Sequence, residues 1–115
     1  MNDYLMVFRQ DPTASSLAQP SPEKMQSIMK QWQDWMGGIA AQDKLSSSGN
    51  RLAAEGKVVK ANHVVTDGPY VELKEAVGGY IMVKAGSLQE ATDLAKGCPI
   101  FDSNGSVEVR TVVPM

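Results

Sequence analysis

The stretch DGPYVELKEAVGGY, residues 67–80, contains a turn sequence, a charged segment and a glycine pair, and it lies between two apolar runs. Before it, residues 57–66 predict a β-hairpin with its turn at Ala61-Asn62, which the Asp-Gly-Pro sequence interrupts. Residues 71–77 are too few for a long helix and predict a loop or a single turn. Residues 79–84, GYIMVK, then predict a strand with apolar side chains on both faces.

On the N-terminal side of this stretch lie a strand and a long helix. Residues 4–8 are apolar at every position, which predicts a strand that needs cover on both faces. Ser21-Pro22-Glu23 combines a capping hydroxyl, a first-turn proline and an acid, and it begins a predicted helix over residues 22–42. Apolar residues recur along that helix at three- and four-residue spacing: Met25, Ile28, Met29, Trp32, Trp35, Met36 and Ile39.

The remaining elements complete a recognisable order. Residues 45–54 predict an irregular edge strand. Ser87 and Glu90 have the spacing of a capping box and begin a second helix, which ends near Gly97. Its predicted buried side is Leu88, Ala91, Leu94 and Ala95. Residues 106–113 alternate as a final strand. This order predicts a ferredoxin-like α+β fold, βαββαβ, with an antiparallel sheet and an extra β-hairpin.

The apolar strands predict a homodimer. Two helices can cover only one face of a four-stranded sheet, yet residues 4–8 and 80–83 put apolar side chains on both faces. An open apolar face of several hundred Å² is rare on a soluble monomer. Pairing sheet to sheet across a two-fold axis would cover it.

Length and composition narrow the class of protein. The 115 residues predict one domain, residues 1–115. The formal net charge is −2, from 11 basic and 13 acidic residues with no basic run, so we expect no direct nucleic-acid binding. The single cysteine, Cys98, fits a reducing compartment. Neither a signal peptide nor an apolar run of about 18–20 residues is present. We therefore expect a cytoplasmic protein that does not enter a membrane.

Three motifs together resemble a family signature. Asp67-Gly68-Pro69-Tyr70, Lys74-Glu75 and Gly78-Gly79-Tyr80 are similar to the signature of the DGPF branch of the YCII-related proteins. The resemblance covers most of the chain and implies a dimeric α/β barrel. In the YciI-type relatives, a histidine on the first helix faces an aspartate across the site. Residues 22–42 contain no histidine, so that mechanism cannot be transferred to this sequence.

Asp67 is the leading candidate for a catalytic residue, and two interpretations stay open. Either its carboxylate accepts a backbone hydrogen bond in a turn shaped by Gly68 and Pro69, or it lies at the rim of a cleft as an acid or base. His63, the only histidine, is a weaker candidate. It lies four residues earlier, roughly 13 Å away along an extended strand, so the two would need a bend or a subunit contact to act together.

Four further residues are candidates for ligand binding. Lys74 beside Tyr70, with Arg110 from the last strand, would hold an anionic ligand, unless the charges around Lys74 form only solvated ion pairs. Trp32 belongs either to the core or to a pocket between helix and sheet. No group of residues has metal-ligand spacing and no phosphate-binding glycine loop is present, so we expect neither metal nor cofactor.

Two functions remain open. The first is a small-molecule binding or accessory protein. Because DGPF-branch genes often lie beside or are fused to sigma-factor genes, the resemblance implies a regulatory role in transcription through a ligand or protein contacts. The second is a small cofactor-independent enzyme, of lyase or hydrolase type, that uses Asp67 as acid or base. Catalysis requires a cleft where Asp67 meets a proton donor, whereas a turn aspartate has its oxygens on backbone amides.

Overall fold

A computed structural model describes residues 1–10, 21–53, 55–67 and 76–115. The strands and helices within these ranges are, in chain order, β1 (Asn2–Gln10), α1 (Pro22–Ala41), β2 (Leu45–Arg51), β3 (Lys57–Val59), β4 (Val65–Asp67), β5 (Ala76–Ala85), α2 (Leu88–Ala95) and β6 (Ser106–Thr111). Short 3-10 turns precede β4, at Ala61–His63, and β6, at Pro99–Ser103.

Four strands form an antiparallel sheet in the order β2-β5-β1-β6. Helix α1 connects the central strand β1 to the edge strand β2, and helix α2 connects the central strand β5 to the edge strand β6. Strands β3 and β4 pair separately as a two-stranded sheet. This is the ferredoxin-like α+β arrangement with an extra hairpin, and the predicted fold of the chain is confirmed.

The hydrophobic core lies between the sheet and the helices. Tyr4, Met6 and Phe8 alternate along β1 and are buried on the helix-bearing face. On β5, Ile81 and Val83 are buried on the same face, because Met6 pairs with Ile81 and Tyr4 pairs with Val83. The core is therefore built mainly from the two central strands.

The opposite face of the sheet carries a second apolar cluster. Leu5 pairs with Met82 and Val7 pairs with Tyr80, so these four side chains lie together on that face. All four are half-buried. Both helices pack on the other side, so no helix among the described residues covers this side of the sheet, which is named the open face.

Helix α1 begins as the sequence predicts, but the core covers only part of it. Ser21 Oγ accepts a hydrogen bond from Lys24 N at 3.2 Å, and the helix ends at Ala41. Its C-terminal half packs on the core through Trp32, Trp35, Met36 and Ile39, whereas its N-terminal half exposes Met25, Ile28 and Met29. The apolar stripe therefore extends beyond the contact with the sheet.

Two predictions of detail are wrong. Ala76 and Val77, which the sequence assigns to a loop or a turn, belong to β5 because β1 continues to Gln10 and pairs with both of them. Leu88, predicted on the buried side of α2, is exposed. It is the first residue of the helix and precedes the turn that buries Ala91. The cap itself forms as predicted, since Ser87 Oγ accepts a hydrogen bond from the backbone of the third helical residue at 3.1 Å.

Strand β2 is the irregular edge strand that the sequence predicts. Its pairing with β5 shifts register on both sides of Ser47. Gly49 lies within this irregular part at φ +56°, and a Cβ at that position would lie 1.7 Å from the carbonyl oxygen of Tyr80. Glycine is required there because the backbones approach so closely and because positive φ strains other residues.

Candidate functional site

The two catalytic candidates, Asp67 and His63, lie on the hairpin of β3 and β4. Lys60 N donates a hydrogen bond to Val64 O at 2.7 Å and closes the hairpin. Between them, Asn62 and His63 both have positive φ, at 68° and 64°. The predicted hairpin and its turn at Ala61-Asn62 are confirmed.

Asp67 is the last residue of β4 and forms an ion pair across the hairpin. It lies directly opposite Lys57, whose Nζ is 2.6 Å from Asp67 Oδ1. Both side chains face solvent, with exposed fractions of 87% for Asp67 and 67% for Lys57. Lys57 therefore provides a partner that neither interpretation of Asp67 anticipated.

The rest of the predicted site divides between the hairpin turn and the undescribed part of the chain. His63 is exposed in the 3-10 turn, at the other end of β4 from Asp67. Within the described ranges, its imidazole has no hydrogen-bond or ionic partner. Gly68, Pro69, Tyr70 and Lys74 lie outside the described residues, and their part in a site stays a prediction.

Arg110 belongs to a charged network on the open face of the sheet. Its Nη1 lies 3.1 Å from Glu108 Oε2, and Arg9 Nε lies 3.1 Å from the other oxygen, Oε1. Hydrogen bonds from Arg110 and then Arg9 hold the pKa of Glu108 below its usual value. Arg110 pairs with Leu5, which places this network beside the open apolar cluster.

Trp32 lies on the other side of the sheet. Its ring packs edge-to-face on Phe8 at a centroid distance of 5.0 Å and on Trp35 at 5.8 Å. Phe8 belongs to the helix-bearing face, whereas Arg110 lies with Leu5 on the open face. The sheet therefore separates Trp32 from Arg110, and one chain does not bring these two candidates into one cleft.

Sequence reasoning missed a surface groove beside Trp35. The groove has a volume of about 610 Å³ and lies between α1 and the segment that follows α2. Gln31 and Trp35 line it from the helix, and Gly97, Phe101 and Asp102 line it from the segment. Phe101-Asp102, an aromatic residue beside an acid just before a turn, was the signal available in the sequence.

Comparison with known proteins places the chain in a family. A family model described as the YCII-related domain matches residues 3–115. The chain belongs to the YCII-related family. A search of curated proteins finds no match to this YCII-related chain.

The described part of this YCII-related protein offers ion pairs and an aromatic groove. Among the described residues, no three or more histidine, cysteine, aspartate or glutamate side chains gather as a metal site. None of the described helices has both the length and the apolar character needed to cross a membrane. Cys98 is buried, and this burial raises the pKa of its thiol to about 11, so it is a poor nucleophile.

Proposed function

We propose that this YCII-related protein binds a small molecule and has an accessory or regulatory role, rather than catalysing a reaction. The observation that carries the proposal is the ion pair between Asp67 Oδ1 and Lys57 Nζ, 2.6 Å long, on an exposed hairpin. A general base must reach the proton that it removes, and it works best where water is excluded. Asp67 is 87% exposed, so it lacks burial that excludes water, and its carboxylate is already bound to the Lys57 ammonium.

The regulatory part of the proposal rests on the resemblance to the DGPF branch. That branch is associated with sigma-factor-dependent transcription, and we place this protein in such a context, in the cytoplasm. The formal net charge of −2 gives no electrostatic attraction for a nucleic-acid backbone. A regulatory signal would therefore pass through a bound ligand or a protein contact.

We further propose that the active form is a homodimer that pairs through the open sheet faces. The half-buried cluster of Leu5, Val7, Tyr80 and Met82 would be covered by its own copy across a two-fold axis. Specific interfaces bury about 1,600 Å² in total and commonly have an apolar centre with a polar rim. The charged network that includes Arg110 lies beside the cluster and is suited to such a rim.

A screen followed by a turnover assay tests the binding role. Wild-type protein and the variant Asp67→Asn are screened against a small-molecule collection by thermal shift, and each hit is then incubated with excess protein and analysed by mass spectrometry. We expect hits that both proteins bind and that are recovered unchanged. Conversion of a hit by wild type that Asp67→Asn abolishes would establish the competing function, a cofactor-independent lyase or hydrolase.

Sedimentation tests the dimer with a matched pair of lysine variants. Val7 lies opposite Glu108 in the β1–β6 register, so Val7→Lys gains a carboxylate neighbour and should still fold. Val59→Lys puts the same charge on an exposed valine of the hairpin. We expect wild type and Val59→Lys at twice the chain mass of 12.4 kDa, and Val7→Lys at 12.4 kDa with an unchanged circular dichroism spectrum. A monomeric wild type at micromolar concentration would disprove this dimer.

A further inference from the structure

The groove beside Trp35 is open to solvent, and its volume is that of a small-molecule site. Its volume of about 610 Å³ falls within the range of roughly 300–1,000 Å³ that is usual for ligand pockets. A second depression of about 320 Å³ adjoins it and shares Asp34, Trp35 and Gly97. The indole of Trp35 thus lies where the two hollows meet.

The Trp35 ring is held rigidly in place. Its Nε1–H donates a hydrogen bond to the Leu94 carbonyl at 3.0 Å, and its ring packs edge-to-face on Phe8 at 5.9 Å. Gly97 leaves the ring uncovered, because a Cβ at that position would come within 3.3 Å of Trp35 Cδ1. A fixed indole beside a residue without a side chain forms a ready-made stacking surface.

A second aromatic residue lines the groove without a role in the core. Phe101 lies in the 3-10 turn between α2 and β6, and 47% of it is exposed although its neighbour Ile100 is buried. Large aromatic side chains that stay at the surface next to a concave site commonly contribute to ligand contact. Phe101 and Trp35 therefore give the groove two aromatic surfaces from different parts of the chain.

The charges around the groove favour a cation. Asp34 and Asp102 line it as carboxylates, against one ammonium group, that of Lys96. Lys96 already pairs with Asp93 at 3.1 Å, and Asp34 pairs with Lys30 at 2.9 Å. Asp102 has no ionic partner among the described residues, which leaves its carboxylate available to a ligand.

We propose that this groove binds a small organic cation with an aromatic part, which stacks between Trp35 and Phe101 and places its positive group near Asp102. The proposal deepens the small-molecule binding role proposed above and rests on it. An ammonium or guanidinium group gains both from the carboxylate and from the face of an aromatic ring. Binding is non-covalent, since the thiol of Cys98, a residue that borders the groove, is buried.

Nuclear magnetic resonance of the two tryptophan indole N–H groups tests the site directly. The peaks are assigned with Trp35→Phe, and the protein is titrated with tryptamine, an aromatic cation, and with indole-3-propionate, its anionic counterpart. We expect tryptamine to shift the Trp35 peak saturably and to bind about tenfold more tightly than the anion, as the attraction to one carboxylate and one ring predicts.

Three variants identify the residues responsible. Asp102→Asn removes the carboxylate and should weaken tryptamine binding about three- to fivefold, and Phe101→Ala should weaken it by a similar factor. Glu55→Gln removes one exposed carboxylate outside the groove and should leave binding unchanged. Unchanged thermal unfolding of each variant shows that the fold is intact.

Two results would overturn the site. One is equal binding of the cation and the anion, and the other is a loss with Glu55→Gln as large as that with Asp102→Asn. If the collection screen yields a ligand that shifts residues of the sheet face but not the Trp35 indole, the binding role stands and the groove is refuted. If no compound binds anywhere, both proposals fail.

Discussion

Replacing Asp67 with asparagine measures what its carboxylate contributes to the fold. The carboxylate and its partner Lys57 are 87% and 67% exposed, and exposed ion pairs contribute about 0–1 kcal/mol. A chain of 115 residues has an unfolding entropy near 0.24 kcal/mol/K, so 1 kcal/mol corresponds to about 4 °C in Tm. We therefore expect Asp67→Asn to lower Tm by less than about 4 °C.

A double-mutant cycle isolates the ion pair from other effects of the substitution. Asp67→Asn, Lys57→Met and the double variant are unfolded with urea at low salt and at 1 M salt, where the Debye length is about 3 Å. We expect a coupling energy below about 1 kcal/mol that decreases towards zero at high salt. Glu23→Gln, which removes an exposed charge from the first turn of α1, serves as the control and should show no coupling to Lys57.

A large effect would refute this account of Asp67. Loss of folding, or destabilisation above about 2 kcal/mol that salt does not reduce, would mean that the carboxylate holds a turn through buried backbone hydrogen bonds. In that case the exposed pair with Lys57 would not describe its main interaction. A small effect on stability combined with lost turnover of a screened compound would instead support a catalytic Asp67.

Three further predictions concern stability and reactivity. Gly49→Ala should cost more than about 2 kcal/mol in urea unfolding, because its Cβ would lie 1.7 Å from Tyr80 O at positive φ; a change under about 0.5 kcal/mol contradicts this geometry. Cys98, buried with a thiol pKa near 11, should react with Ellman's reagent at pH 8 at least about tenfold more slowly in the native state than in guanidinium, and equal rates would show an accessible thiol. The Lys44 ammonium holds the pKa of Glu90 below its usual 4.5, so the folded form releases this proton more readily than the unfolded chain. The stabilisation that ionised Glu90 contributes is complete above about pH 4.5 and is lost as pH falls through the lowered pKa. Lys44→Met should therefore make the fall of Tm below pH 4.5 less steep. If Tm of this variant falls in parallel with that of wild type, the Lys44–Glu90 pair does not cause the acid destabilisation.

The fold was predictable because its signals are local and repeat. The apolar run of β1, the cap at Ser21 and the cap at Ser87 each mark an element, and the order of elements leaves few topologies. Hydrophobic periodicity indicates the type of an element, but it does not show how far the element that packs or pairs with it extends. Met25 is exposed because the core contacts only the C-terminal half of α1, and Ala76 is in a strand because β1 extends to Gln10.

The candidate site was less predictable because it depends on register and on which face a side chain occupies. Moving the hairpin register by one residue would take Lys57 away from Asp67, and the turn sequence alone does not fix that register. Arg110 and Trp32 both looked suitable for one ligand, yet alternation along β1 assigns their neighbours to opposite faces. The groove combines α1 with residues 97–102, which are distant in sequence, so the local signal at Phe101-Asp102 does not show that α1 completes the groove.

The clustering of both tryptophans at one contact has a practical consequence for spectroscopy. Trp32 and Trp35 pack on Phe8 and on each other, so their emission arises from a single junction between helix and sheet. Tryptophan fluorescence, excited at wavelengths that tyrosine does not absorb, will therefore monitor whether α1 is packed on the strands. Melting of the β3–β4 hairpin would leave that optical signal unchanged, and comparing fluorescence with circular dichroism would reveal whether the two parts come apart in one step or in two.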